Sequence, residues 1–184
     1  FHIVIQLNRA TNSIRCSVMK SLPENSIERK FMSSHWKLFL CKSSLIPSSK
    51  VFTSHKLKLS CPIYDLLFDC IKLNSSLNYA YSNLQEVYNL PKNQYFKSAM
   101  NSIQFIINNL RLSNNTLLLQ VADTYQKWQI GIAHTLSMHK GYTNISNGPA
   151  EGANNLISNI LHAAFGYHNF SHFRKRALLL LRND

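Results

Sequence analysis

Three observations predict a mainly α-helical protein. Apolar residues recur every three to four positions along most of the 184-residue chain. Gly and Pro are sparse, at 5 each, too few for a turn-rich all-β sandwich. No long run alternates apolar with polar residues, which leaves room for only a little strand. With 45% hydrophobic and 15% charged residues, the chain is not a disordered polyelectrolyte. Its length suits one ordinary domain, or one domain plus a small piece, and is enough to bury a substantial core.

The elements follow in chain order. Ile3, Val4, Leu7, Ile14 and Val18 form a helical stripe from Phe1 to about Lys20, with Arg9 and Arg15 off it. Pro23 suits the first turn of a second helix, lined by Ile27, Phe31, Leu38 and Leu40 and running through Trp36. From Ser43 to Leu59 the period is lost among Ser and Lys, which reads as a basic loop. Ser60-Cys61-Pro62 restarts a helix, with Ser60 as N-cap and Pro62 in the first turn, and Leu66, Leu67, Cys70, Ile71 and Leu73 line it. A further helix spans Ser75 to Leu90. Pro91 opens the next, through Phe96, Met100, Ile103, Ile107 and Leu110, and Ser113-Asn114-Asn115 ends it. Leu117 to Leu136 reads as one long helix with Trp128 inside. A loop from Lys140 to Pro149 leads into a helix from Pro149 to Phe165. After a turn at Gly166-Tyr167, a short helix carries Phe170, Phe173, Leu178 and Leu181.

The charge is lopsided, 20 Lys+Arg against 8 Asp+Glu, net +12. Such a balance points to a polyanionic partner, nucleic acid or an anionic membrane face. No apolar run reaches the ~18 residues of a membrane span, and the start has neither a basic n-region nor a small-residue cleavage site. A cytoplasmic location with no membrane partner is expected. The start at Phe1, without an initiator Met, suggests a chain cut from something longer or processed. Cys16, Cys41, Cys61 and Cys70 are widely spaced and include no C-x-x-C pair. They read as small buried hydrophobes in a reducing compartment.

The densest polar chemistry lies from Asn144 to Asn155. Ser146 or Asn147 can cap a helix there, and Pro149 fits its first turn. Glu151 then falls where the helix dipole favours a carboxylate. The same residues admit a sharper reading. Glu151, Asn154 and Asn155 stand at i, i+3 and i+4, on one face. A carboxylate with two amides can hold a hard cation and hydrogen-bond a ligand, and Gly152 leaves space beside it. Elsewhere, Asp65 and Asp69 are an i, i+4 pair that reads as a solvated face rather than a metal pair. Asp123 reads likewise, and His134 and His139 read as surface or core histidines. Arg174, Lys175 and Arg176 either complement a helix C-terminus or grip phosphate. Trp36, Trp128 and the Phe170/Phe173 pair read as core rather than as base-stacking platforms. G-x-S-x-G, P-loop and dinucleotide fingerprints are absent.

Two longer stretches carry a resemblance. The run Ser146-Asn147-Gly148-Pro149-Ala150-Glu151-Gly152-Ala153-Asn154-Asn155-Leu156-Ile157, followed by Phe165-Gly166-Tyr167-His168-Asn169-Phe170-Ser171-His172-Phe173-Arg174-Lys175-Arg176, resembles the C-terminal signature of DDE transposases of bacterial insertion sequences, in the ISL-three group. The opening, from Phe1-His2 through Leu7-Asn8-Arg9-Ala10, Asn12 and Arg15 to Met19, is similar to another motif of that family. The likeness spans essentially the whole chain. The chain departs from the pattern at Leu156, Ser158, Leu161 and His162, where the family tends to have Lys and Arg, and at His168, where it has Arg.

The resemblance implies a ribonuclease-H-like core interrupted by a helical insertion before the catalytic Glu. It implies two Asp and one Glu that hold two Mg²⁺ ions for cleavage and transfer of DNA strands. Glu151 matches the Glu. The strands and both Asp of the core are expected upstream of Phe1, so that 1–22 follows the second Asp, 23–140 is the insertion, and 141–184 carries the Glu and the C-terminal helix. Glu151 is then catalytic and metal-binding, while Asn154, Asn155, Arg174, Lys175 and Arg176 face DNA. Partners are the DNA of element ends and target, with a possible homo-oligomer. This chain alone is expected to be inactive. The alternative is a basic, helical, non-catalytic DNA-binding or assembly module, or the remnant of a truncated transposase gene.

Overall fold

The structure, a computed structural model, describes residues 2–47, 49–54, 59–137, 148–163 and 169–181. Helix α1 (His2–Ser21) buries the predicted stripe, with Leu7, Ile14 and Val18 inside. It packs against α4 (Ser75–Asn89) and α6 (Thr116–Lys127). The other helices of this unit are α2 (Ile27–Ser34), α3 (Ile63–Lys72), α5 (Phe96–Leu112) and α7 (Gln129–Leu136). One apolar cluster runs through all seven, from Leu7, Phe31 and Met32 to Leu67, Leu84, Ile107 and Tyr125. Two tyrosine hydroxyls cross it to main-chain carbonyls. Tyr88 donates to Leu40 at 2.5 Å, and Tyr125 donates to Ile3 at 2.6 Å.

A second compact unit begins after Met138 and contains α8 (Gly148–Ala163) and α9 (Phe170–Leu181). The loop expected from Lys140 and the turn at Gly166-Tyr167 lie outside the described residues, as does His139. No described helix is long and apolar enough to cross a membrane.

Five local expectations are corrected. The second helix was expected to run through Trp36, but α2 ends at Ser34, His35 has non-helical angles, and a separate 3₁₀ turn covers Trp36–Phe39. Part of the cause is Arg15, whose guanidinium donates to the Met32 carbonyl at 2.6 Å and takes an acceptor that a continuing helix needs. Arg15 itself, placed off the stripe by periodicity, is only 6% exposed. It is held further by two bonds to Asn12 Oδ1, at 3.0 and 2.8 Å.

The Ser43–Leu59 stretch is not wholly loop. It holds a 3₁₀ turn (Ser43–Leu45), then strand β1 (Val51–Ser54), which pairs antiparallel with β2 (Leu59–Pro62). Four-residue strands are too short for alternation to show. Ser60 and Cys61 therefore belong to β2 and not to a helix start. Pro62, at φ −55° and ψ 133°, is the residue before α3.

Pro91 does not open a helix. Residues 91–95 form a turn in which Asn93 takes φ 58°, and α5 starts only at Phe96. The long helix expected from Leu117 to Leu136 is two. Trp128, at φ −104° and ψ 11°, breaks it, and α7 turns onto α5. Gln129 fixes that turn: buried, it donates to Gln104 Oε1 at 3.0 Å and accepts from Gln126 at 2.8 Å.

Of the four cysteines, expected to be small buried hydrophobes, only Cys70 is buried. Burial drives its thiol pKa up to about 12. Cys16, Cys41 and Cys61 are half-buried, and all four are free.

Candidate functional site: the Glu151 helix face

Helix α8 starts at Gly148 and places Glu151 in its first turn. An acidic side chain there is stabilised by the partial positive charge of the helix N-terminus. Glu151, Asn154 and Asn155 are all exposed on the face that their spacing defines. The opposite side, through Leu156, Ile157 and Ile160, turns inward, and Ile160 is buried. Glu151 makes no hydrogen bond or ion pair with another described residue. A Cβ added at Gly152 meets no atom within 4 Å, so nothing in the described chain requires glycine there.

Helix α9 packs against α8 and is capped by Asn169, whose Oδ1 accepts from the Ser171 and His172 amides at 2.9 and 3.4 Å. Ala177 is its buried contact residue. The Phe170 and Phe173 rings lie 6.2 Å apart, and Phe170 is largely exposed. Arg174, Lys175 and Arg176 are exposed in the middle of α9, which has no basic residue in its last turn. That corrects the helix-terminus reading of these cations. Three consecutive residues also fan over about 200° of helix circumference, so they cannot close on one phosphate together.

The remaining candidates separate. Asp65 and Asp69 are exposed on α3. Asp123 faces Arg111 at 3.7 Å, an exposed pair of small energetic worth. His134 stacks against Phe96 with ring centroids 4.6 Å apart. The core assignment of the two tryptophans is overturned: Trp36 is 41% and Trp128 61% exposed. Each carries a lysine over its ring, Lys37 at 5.7 Å and Lys127 at 5.8 Å from the centroid. Sequence reasoning missed their exposure because both sit beside helix breaks that periodicity does not reveal.

Among the described residues no three His, Cys, Asp or Glu side chains come together as a metal site. The donors on the Glu151 face have the right chemistry for Mg²⁺, being oxygens, but they supply one anionic group. A pair of adjacent dications needs several.

The chain is basic and largely helical, and at a helix start it exposes a carboxylate and two amides, charge and donors of the kind that meet a polyanion. The family comparison makes this specific: the chain matches the DDE transposases of the ISL-three group, described as transposase, over residues 1–177. It belongs to that family of insertion-sequence transposases. No curated protein and no solved structure matches it.

Proposed function

We propose that this chain serves DNA transposition as the part of a DDE transposase that bears the catalytic glutamate, Glu151. The observation that carries the reading is the exposed Glu151 carboxylate in the first turn of α8, unpaired among the described residues, with Asn154 and Asn155 on the same face, inside the stretch that matches the family. Bound Mg²⁺ would activate an attacking oxygen and stabilise charge on the phosphate. Glu151 would be one of its ligands, beside two Asp carboxylates supplied by a ribonuclease-H-like segment preceding residue 1.

The chain's own contribution is placement. The α8 N-terminus favours negative charge, whether from Glu151 or from a phosphate approaching it. Asn154 and Asn155, one turn on, offer amide donors to the strand without adding charge. Arg174, Lys175 and Arg176 add cations that neutralise backbone phosphates at different points around α9. Outward positions Ser158, Leu161 and His162 carry no fixed positive charge, so the outer surface of α8 grips DNA less than a family member with Lys and Arg there.

The test is Glu151→Gln in a protein that includes the segment with both Asp. Strand cleavage should fall at least about 10³-fold, while DNA affinity stays within about two-fold, because an isosteric amide keeps the shape and loses the anionic ligand. Residues 1–184 by themselves should cleave nothing with Mg²⁺ or Mn²⁺. Cleavage by this chain that survives Glu151→Gln and is lost in Asp65→Asn or Asp69→Asn transfers the active site to α3.

A further inference from the structure

A groove between α1 and α6 shares no residue with the Glu151 face or with the α9 cations. Its walls are Gln6, Arg9 and Ser13 from α1 and Leu117, Gln120 and Thr124 from α6. The buried Ala10 and Val121 form its floor. Near the end of α6, Tyr125 is bonded to Ile3 near the start of α1. Because the groove also takes in Ser13 and Leu117, the two helices run in opposite directions along it. Trp128, which follows α6 directly, therefore stands at the end of the groove where α1 begins.

The electrostatics are one-sided. Helix α1 contains no acidic residue, and Asp123 of α6 is opposed by Arg111. Gln6, Arg9 and Ser13 are exposed, and their side chains, like that of Gln120, make no hydrogen bond or ion pair to another described residue. An exposed guanidinium with no partner among the described residues has no ion pair there to break when it binds a phosphate, and its planar fork suits one. Axes of packed helices lie about 8–10 Å apart, so a groove between two of them accepts a single strand and not a duplex. At its end, the exposed Trp128 ring offers a flat face on which an unpaired base can stack, whereas a base within a duplex is already covered by its neighbours.

We propose that the α1–α6 groove holds a single strand of DNA, with Arg9 on a backbone phosphate and Trp128 stacked on a base where the groove ends. The Gln6 and Gln120 amides and the Ser13 hydroxyl bond along the strand, and Lys127, beside the Trp128 ring, adds positive charge. The choice of DNA rests on the transposase reading. The groove itself tolerates many sequences, since stacking and phosphate contacts read no base edges.

The 184-residue chain carrying Trp36→Phe has Trp128 as its single tryptophan and tests this directly. Oligo(dT) should quench the Trp128 fluorescence, and a duplex of equal length should not. Arg9→Ala and Trp128→Ala should each weaken oligo(dT) binding about ten-fold, with circular dichroism unchanged because both side chains are exposed. Trp128→Phe should retain most of the affinity. Quenching by duplex equal to that by single strand, or variants that bind as tightly as the parent, overturns the groove and leaves the family-based DNA reading standing. A parent chain that binds neither form of DNA removes both.

Discussion

Tyr81 and Tyr125 lie at nearly equal depth, 4% and 2% exposed, and differ by one bond. The Tyr125 hydroxyl donates to the Ile3 carbonyl, whereas the buried Tyr81 hydroxyl has no partner among the described residues. Burial raises both phenol pKa values, that of Tyr81 to about 12, so both stay neutral at any working pH. Removing the two hydroxyls should therefore have opposite consequences. Tyr125→Phe loses the bond that ties α6 to the start of α1 and should cost about 1 kcal/mol. Tyr81→Phe removes an unsatisfied polar atom and should be neutral or stabilising by up to about 1 kcal/mol. Urea unfolding checks the pair: the midpoint should fall for the first and hold or rise for the second, with unchanged slope.

At the scale of elements, the junction after α2 is titratable. The His35 ring stacks on Phe31 at 5.0 Å and meets Phe52 of β1 edge-on at 5.3 Å, so it joins the helix to the hairpin. Ser34 Oγ lies 2.7 Å from its Nδ1. Burial, and secondarily the nearby Lys50, lowers its pKa below the usual 6.5. The unfolded chain then takes up the proton more readily than the folded one. Stability from this group is present above pH 6.5 and is lost as the pH falls through the lowered value. His35→Phe keeps an aromatic ring without the titration. Thermal melts between pH 7.5 and 5 should show a shallower decline for that variant than for the parent.

The same elements show what sequence alone resolves. Boundaries set by local chemistry were legible: Asn74 and Asn115 cap α4 and α6 with their side chains, and Pro149 and Glu151 mark the start of α8. Breaks set by distant partners were not. The end of α2 depends on Arg15, seventeen residues before Met32, and the bend at Trp128 depends on Gln104. Neither partner alters the apolar period. The Glu151 face was legible because the three residues that define it, at i, i+3 and i+4, fall within about one helical turn. The α1–α6 groove was not, because its walls are more than a hundred residues apart in the chain.

For the whole molecule, charge governs behaviour. At net +12 with no recognisable base-reading module, the chain should bind DNA with little sequence preference and strong dependence on counterions. If about six phosphates are neutralised, affinity should drop roughly 10³-fold between 50 and 200 mM salt. Fluorescence anisotropy across that range measures it, and a flat profile would exclude a charge-driven interface.

The bond from Tyr125 to Ile3 spans 122 residues of sequence, and α1 rests on α4 and α6. On a ribosome, α1 emerges long before either support exists. At about 5–20 residues per second, roughly 6–24 s separate the synthesis of the two ends of that bond. Until α4 is made, the face of Leu7, Ile14 and Val18 lacks its main native partner, and until α6 follows it is covered only in part. The nascent chain thus carries an incompletely sheltered adhesive surface through the first half of its translation and beyond, and its yield in a cell should rise with chaperones that hold such surfaces until α6 arrives.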